Sequence, residues 1–345
     1  MVFSGLVDSL GFHLWCPRCG IKLREGEYRP WCPRCRGPLE AVGLPRLPPV
    51  LGEGSTPLVE AGEGVYAKLE YLNPSGSFKD RGVGYSLRMA SLLGYDCVVV
   101  DSSGNTGLST ALYSARLGLK ARVYVPRGAS PGKKALIRAT GAELVEAESR
   151  EEAARLAEAE AEKCFHVAHP TNPLFIEGVK SLGRELAGEA AGDTDVLAPV
   201  SSGTLLLGIY RGLEEERGRF RLVAVQSPAA YSLKGLVPEL GWVGGVEGRL
   251  LDALLLARPP RLEEMARAVR ESGGGVVVVG DGAIPGAVRE AVQRGFLVEP
   301  SSAAVFAAHE VLREKKWLSG RSLLVLTGSG LKYASLLEKL AAEAA

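Results

Sequence analysis

Short β-branched runs alternate with helical segments along most of this chain, and few architectures accommodate that order. "CVVVDSS" (97–103) reads as a buried strand and "GLSTALYSARLGL" (107–119) as a helix with one apolar face. "ARVYVP" (121–126) is a strand, "GKKALIRATGA" (132–142) a helix, "ELVEA" (143–147) a strand, and "REEAARLAEAEAEKC" (150–164) an amphipathic helix. "DVLAPV", "RLVAVQ", "GGVVVVG" and "SLLVLTG" are four further strand-like runs with helical stretches between them. A βαβα order implies parallel sheets with right-handed crossovers, hence an α/β fold. Glycine-rich turns follow several of these strands, as "SSGNTG", "SSGT" and "TGSG". Open α/β sheets place ligands at such carboxyl ends.

The length, 345 residues, suits about two domains. Hydrophobic residues make up 46% and charged ones 23%, an ordinary globular balance. The net charge of +1 provides no field that would steer the protein to nucleic acid or to an anionic membrane. No apolar run approaches the ~20 residues that span a bilayer, and "MVFSGLVDSLGFHLWCPRCG" lacks the basic start and cleavage site of a signal peptide, so the expected location is the cytoplasm. Met (3) and His (4) are scarce, Ala, Glu and Arg plentiful, and many of the 20 prolines lie in loops. That balance leans toward a thermophilic source, although a GC-rich genome favours several of the same residues.

Four of the six cysteines form two C-x2-C knuckles, Cys16/Cys19 and Cys32/Cys35. Each knuckle offers two thiolates, and the pair closes a tetrahedral shell with no open position, which points to structural zinc rather than to catalysis. The twelve residues between them leave room for a small β-hairpin. Two disulfides, or a relic that holds no metal, are the competing readings. The intervening "GIKLREGEYRPW" mixes Lys22, Arg24 and Arg29 with Glu25 and Glu27, which is not a nucleic-acid-binding patch. Cys97 and Cys164 lie in apolar surroundings and read as core residues.

Beyond the Pro/Gly-rich linker "GLPRLPPVLGEGSTPL" comes "NPSGSFKDRG" (73–82), which sets Lys79 beside Ser77 and the pair Asp80-Arg81. A lysine that does covalent chemistry condenses with a carbonyl. The three glycine-rich loops would serve a bound pyridoxal phosphate: an Asn for its ring hydroxyl, small residues at a helix N-terminus for its phosphate, and a hydroxyl for its pyridine nitrogen. Each loop alone is a weak signal, since most such turns are only tight turns; their order along the chain strengthens it.

"NPSGSFKDRG" closely resembles the lysine motif of the fold-type II pyridoxal-phosphate enzymes, and of the threonine synthases most of all. "SSGNTG", "SSGT", "EGVKSL" (177–182), "VEPSSAA" (298–304) and "TGSGLK" (327–332) resemble further signatures of that family in the expected order. The resemblance spans roughly residues 10–340. It implies two doubly wound open parallel-sheet domains: a large cofactor-binding domain over 45–85 and 172–345, and a small one over 86–171, preceded by a zinc-ribbon-like segment over 1–44. It also implies a homodimer acting on a small amino acid. Lys79 would bond the cofactor covalently and move protons between Cα and Cβ. Asn105 would hold the ring hydroxyl; Ser201, Ser202, Gly203 and Thr204 would bind the phosphate; Thr327, or else Ser329, would meet the pyridine nitrogen. Ser102, Ser103, Asn105 and Thr106 would receive the substrate carboxylate. Glu299 would lie near the ring, without an assigned role.

Three departures bear on the substrate. Threonine synthases commonly carry an Arg two residues before the Glu-Gly of their "EGxK" motif, where this chain has Phe175. A phenylalanine cannot make the bidentate phosphate contact of an arginine. The loop "SSGTL" replaces a G-N-x-G-N type, and "TGSG" replaces "TGHG". Cations that would have to substitute are Arg127, Lys133, Lys134 and Lys180. Threonine synthase is the first reading. A dehydratase of serine or threonine, or a cysteine- or cysteate-synthase-like enzyme, is the second.

Overall fold

A computed structural model, describing residues 11–189 and 193–343, divides the chain into two compact units. One comprises the residues up to Gly54 together with Lys79–Val179, the other Ser55–Phe78 with the residues from Lys180 onward. At the start of the first unit, β1 (His13–Trp15) pairs antiparallel with β2 (Glu40–Val42), and both cysteine knuckles lie between them. The hairpin expected between the knuckles is therefore replaced by a pairing that encloses them; inside the gap only the bridge Trp15–Lys22 forms. Gly26 and Pro30, with the charged residues around them, give that stretch little strand propensity.

The hairpin β3 (Leu58–Gly62) and β4 (Val65–Lys68) belongs to the second unit. The chain then enters α1 (Lys79–Leu92) and runs through β5 (Cys97–Val100), α2 (Asn105–Leu117), β6 (Lys120–Pro126), α3 (Pro131–Ala139), β7 (Glu143–Ala147), α4 (Arg150–Ala159) and β8 (Phe165–His166). These strands form a four-stranded parallel sheet of order β7-β6-β5-β8. Its helices begin as their sequences dictate. Pro131 opens α3, where a missing N–H costs nothing, and Ser149 caps α4 by accepting from the Glu152 amide.

Cys97 and Cys164 are not simple core residues: they form a disulfide. Parallel pairing of β5 with β8 sets Val98 opposite Phe165, so the residues one step earlier, Cys97 and Cys164, meet with Cα atoms 4.8 Å apart. The apolar residues that follow each cysteine concealed this pairing, which only the sheet register creates.

The helix α5 (Pro173–Glu189) carries the chain into the second unit. There follow β9 (Thr194–Pro199), α6 (Thr204–Glu215), β10 (Arg221–Gln226), β11 (Glu239–Val243), α7 (Leu262–Glu271), β12 (Gly275–Val279), α8 (Ile284–Gln293), α9 (Pro300–Glu314), β13 (Arg321–Val325) and α10 (Ala334–Glu343). The seven strands have the order β11-β12-β10-β9-β13-β4-β3, parallel except for the β3–β4 hairpin. Every residue of β9 and β12 is buried, as expected for strands whose two faces are both covered. β9 and β13 are neighbours, so the loops "SSGT" and "TGSG" leave the same carboxyl edge side by side.

Candidate active site and cysteine cluster

Within the first unit, Lys79 is the first residue of α1. Asp80 behind it is fully buried and accepts a hydrogen bond from Ser109 Oγ of α2 at 2.5 Å. The Lys79 ammonium lies 5.7 Å from the centroid of the Phe175 ring, and the His169 ring centroid lies 5.7 Å from it as well. Burial, then the charges of Lys79 and His166, hold the His169 imidazole well below the usual histidine range. His169 is a component that sequence reasoning missed; being one of only four histidines, just ahead of the "EGVKS" helix, was the available signal.

Asn105 and Thr106 open α2 directly after β5, with Gly104 as the capping residue and no side chain capping the helix. The first-turn amides of such a helix have no intrahelical acceptor and favour an anion. Ser102 Oγ accepts from the Gly104 amide at 3.3 Å, while Ser102, Ser103 and Asn105 are partly exposed. A Cβ on Gly107 would stand 1.8 Å from the Ser102 carbonyl oxygen, so only glycine lets the helix start so close to its own loop.

In the second unit, residues 76–78 run antiparallel to 327–329. The Phe78 amide donates to the Thr327 carbonyl at 3.0 Å, the Ser329 amide to the Gly76 carbonyl at 2.9 Å, and Ser77 bridges Gly328. The residue preceding Lys79 is thereby fixed to the backbone of Thr327. Ser77 Oγ is fully buried and has no hydrogen-bond partner among the described residues. Such an orphan is unusual in a native fold and calls for a partner.

The loop after β9 places Gly203, at φ +85°, as the capping residue of α6, again with no side chain capping the helix. A Cβ there would lie 2.3 Å from Met265 Sδ, so the loop closes on α7 with no room for a larger residue. Ser202 Oγ lies 3.2 Å from Thr204 Oγ1, whereas Ser201 Oγ accepts from the Leu256 amide at 3.2 Å. Thr327 is buried with its Oγ1 3.1 Å from Ser302 Oγ. Ser329 accepts from the Leu331 amide and caps a short turn. Glu299 is buried over Gly328, where an added Cβ would come within 2.3 Å of its carboxylate.

Phe175 is wholly buried, and its ring lies on Gly82 of α1. Of the cations named as replacements, Arg127 pairs with Glu148, Lys134 with Glu146 and Lys180 with Glu215.

The four knuckle cysteines bring their sulfurs within 4.8 Å of one another, with Cys16–Cys35 at 3.5 Å and Cys19–Cys32 at 3.6 Å. Four sulfurs each ~2.3 Å from one zinc ion would lie about 3.8 Å apart, so the cluster has the right size. Burial raises the Cys32 thiol, but the Cys35 and Arg34 amides, then the neighbouring thiols, bring it down to about 7, whereas the Gly37 amide lowers the Cys35 thiol but burial and the neighbouring thiols carry it up to about 11. The donor set fits zinc.

A profile of the family described as "Pyridoxal-phosphate dependent enzyme" matches residues 50–329. A threonine synthase from Bacillus sp. (strain ULM1) is 32% identical over 302 residues, covering 82% of this chain and 84% of the relative. Among solved structures, a threonine deaminase isoform from Solanum lycopersicum superposes with TM-score 0.72 at 22% identity over 84% of this chain and 83% of the other. A cysteine synthase from Entamoeba histolytica gives TM-score 0.69 at 21% identity over 85% and 90%. At that identity the structural likeness speaks for the fold.

Proposed function

The chain belongs to the pyridoxal-phosphate dependent enzyme family, and on that premise we propose that it is a threonine synthase, converting O-phospho-L-homoserine and water to L-threonine and phosphate. The observation that carries this reading is the 32% identity to a threonine synthase over most of both chains. The buried, unpartnered Ser77 hydroxyl, the uncapped helix at Gly203 and the hydroxyl of Thr327 are features a phosphorylated pyridine fits.

Pyridoxal phosphate, when bound, supplies an electron sink that acidifies the substrate Cα–H. In this reading Lys79 would hold the cofactor, and its amine would take the substrate Cα proton and move protons between Cα and Cβ. Asn105 donates to the ring hydroxyl. The amides and hydroxyls of Ser202, Gly203 and Thr204 bind the cofactor phosphate. Ser201 serves there through its backbone, since its side chain is already engaged by Leu256. Thr327 would meet the pyridine nitrogen with a neutral hydroxyl, which does not promote protonation as a carboxylate would. Ser102, Ser103, Asn105 and Thr106 receive the substrate carboxylate at the α2 N-terminus. We place the enzyme in the cytoplasm as a homodimer, with zinc in its N-terminal ribbon.

One observation favours a second reading. Phe175 is buried where a phosphate-binding arginine would stand, and Arg127, Lys134 and Lys180 are paired with carboxylates. An unphosphorylated substrate, handled by elimination or replacement at Cβ, suits that apolar surrounding. Both readings predict that borohydride reduction fixes the cofactor on Lys79, and that Lys79→Ala abolishes the adduct. They part on substrate. Phosphate release with threonine formation from O-phosphohomoserine identifies the synthase; oxo acid from serine or threonine identifies the dehydratase; activity on phosphoserine with a thiol or sulfite identifies a replacement enzyme.

A further inference from the structure

In the first unit, β8 pairs parallel with β5 so that His166 stands opposite Val99. Side chains alternate faces along a strand, so Asp101, two residues past Val99, falls on the face that Val99 and His166 share. There the His166 Nε2–H donates to Asp101 Oδ1 at 3.4 Å. Asp101 is the residue on which the chain leaves β5 for the loop 102–104, whose far end opens α2 at Asn105. His166 is 5% exposed, and its Nδ1 is buried with no hydrogen-bond partner among the described residues. A bare buried ring nitrogen costs free energy, and a phenyl ring would fill the same space without that cost. The bond to Asp101 is therefore what an imidazole adds at this position. Trp31 lies edge-on to the ring at 5.6 Å between centroids, and Tyr28 Oη donates to the His166 carbonyl at 3.0 Å, so the cysteine-rich segment holds the donor in place.

We propose that His166 and Asp101 are positioning residues for the substrate carboxylate: the pair fixes where the 102–104 loop departs from β5, and with it the donors of Ser102, Ser103, Asn105 and Thr106. The inference rests on the reading of that loop as the carboxylate site. It holds for either substrate reading, since each substrate is an α-amino acid. A carboxylate gripped by several donors at once needs them placed to within about 0.5 Å. Contacts inside the loop, Ser102 Oγ with the Gly104 amide and Gly107 against the Ser102 carbonyl, set its shape. The bond from His166 to Asp101 sets where that shape stands relative to the sheet.

The test compares L-threonine with (R)-1-aminopropan-2-ol, the same molecule without its carboxylate, on the holoenzyme, with affinity read from the initial change in cofactor absorbance. L-Threonine is a ligand under both readings, as product or as substrate. Wild type is expected to prefer the amino acid to the amine. Asp101→Ala and His166→Phe are expected to weaken threonine binding about tenfold, the worth of one hydrogen bond, and to leave amine binding as it was. Asp101→Asn, whose carboxamide oxygen still accepts, should stay within about threefold of wild type. The Asp101 side chain is 33% exposed, so its variants keep the test decisive if His166→Phe does not fold. Unchanged threonine affinity in Asp101→Ala overturns the proposal. So does a loss shared equally by threonine and the amine, which marks general damage to the site. A wild type that binds the amine as tightly as threonine refutes the reading of the loop, and the proposal with it.

Discussion

Phe175 and Gly82 are in such close contact that a Cβ added at position 82 would stand 2.5 Å from ring atoms of Phe175. Position 82 is in α1, three residues beyond Lys79, so the glycine makes room for the ring that lies near the amine. Gly82→Ala is expected to destabilise the protein by about 1–3 kcal/mol through overpacking. Chemical denaturation measures this, and adding Phe175→Leu should restore part of the loss, because the smaller side chain vacates the contact.

His169 predicts a pH effect with a definite sign. Its folded-state pKa is depressed, chiefly by burial and then by Lys79, so the folded protein resists protonation that the unfolded chain accepts near pH 6.5. The contribution is harmless above that pH and becomes a loss of stability as pH falls below it. Between pH 7.5 and 5.5 the wild type should lose about 1 kcal/mol more than His169→Gln. Equal losses in the two proteins, measured by urea midpoint, would count against a neutral imidazole at His169.

The cysteine cluster predicts about one zinc ion per chain by elemental analysis. Cys16→Ser or Cys35→Ser should lower that content sharply, and chelation should lower the melting temperature. Well under one equivalent in freshly purified protein argues against a metal site.

The Cys97–Cys164 bond closes a loop of 67 residues. Replacing both cysteines by alanine is expected to cost about 2–4 kcal/mol, through a less restricted unfolded chain. The same loss should appear when the wild type is melted with a thiol reductant. A melting temperature indifferent to reductant would refute it.

Much of this was legible in the residues. Seven of the strands lie in β-branched or alternating runs that depend only on local pattern, and the α/β class follows from their order. Lys79 could be singled out because the family's motif is contiguous in sequence. What escaped was created by register and packing. The edge strand Glu239–Val243, "ELGWV", carries a glycine and a charge and is defined by pairing with β12. Cys97 and Cys164 are 67 residues apart and meet only through the β5–β8 alignment. His169 belongs to the surroundings of Lys79 because of what it touches, and no spacing rule announces it.

The two-residue strand β8 is too short to hold its place alone. Tyr28 of the cysteine-rich segment stacks on Phe165 at 4.4 Å and donates to the His166 carbonyl at 3.0 Å, Trp31 lies edge-on to His166, and the disulfide anchors the residue just before. Three residues past His166 stands His169, close to the amine. The ribbon therefore serves as a distant mooring for the segment that carries this imidazole: slackening it would leave both sheets standing and let one ring drift from its berth.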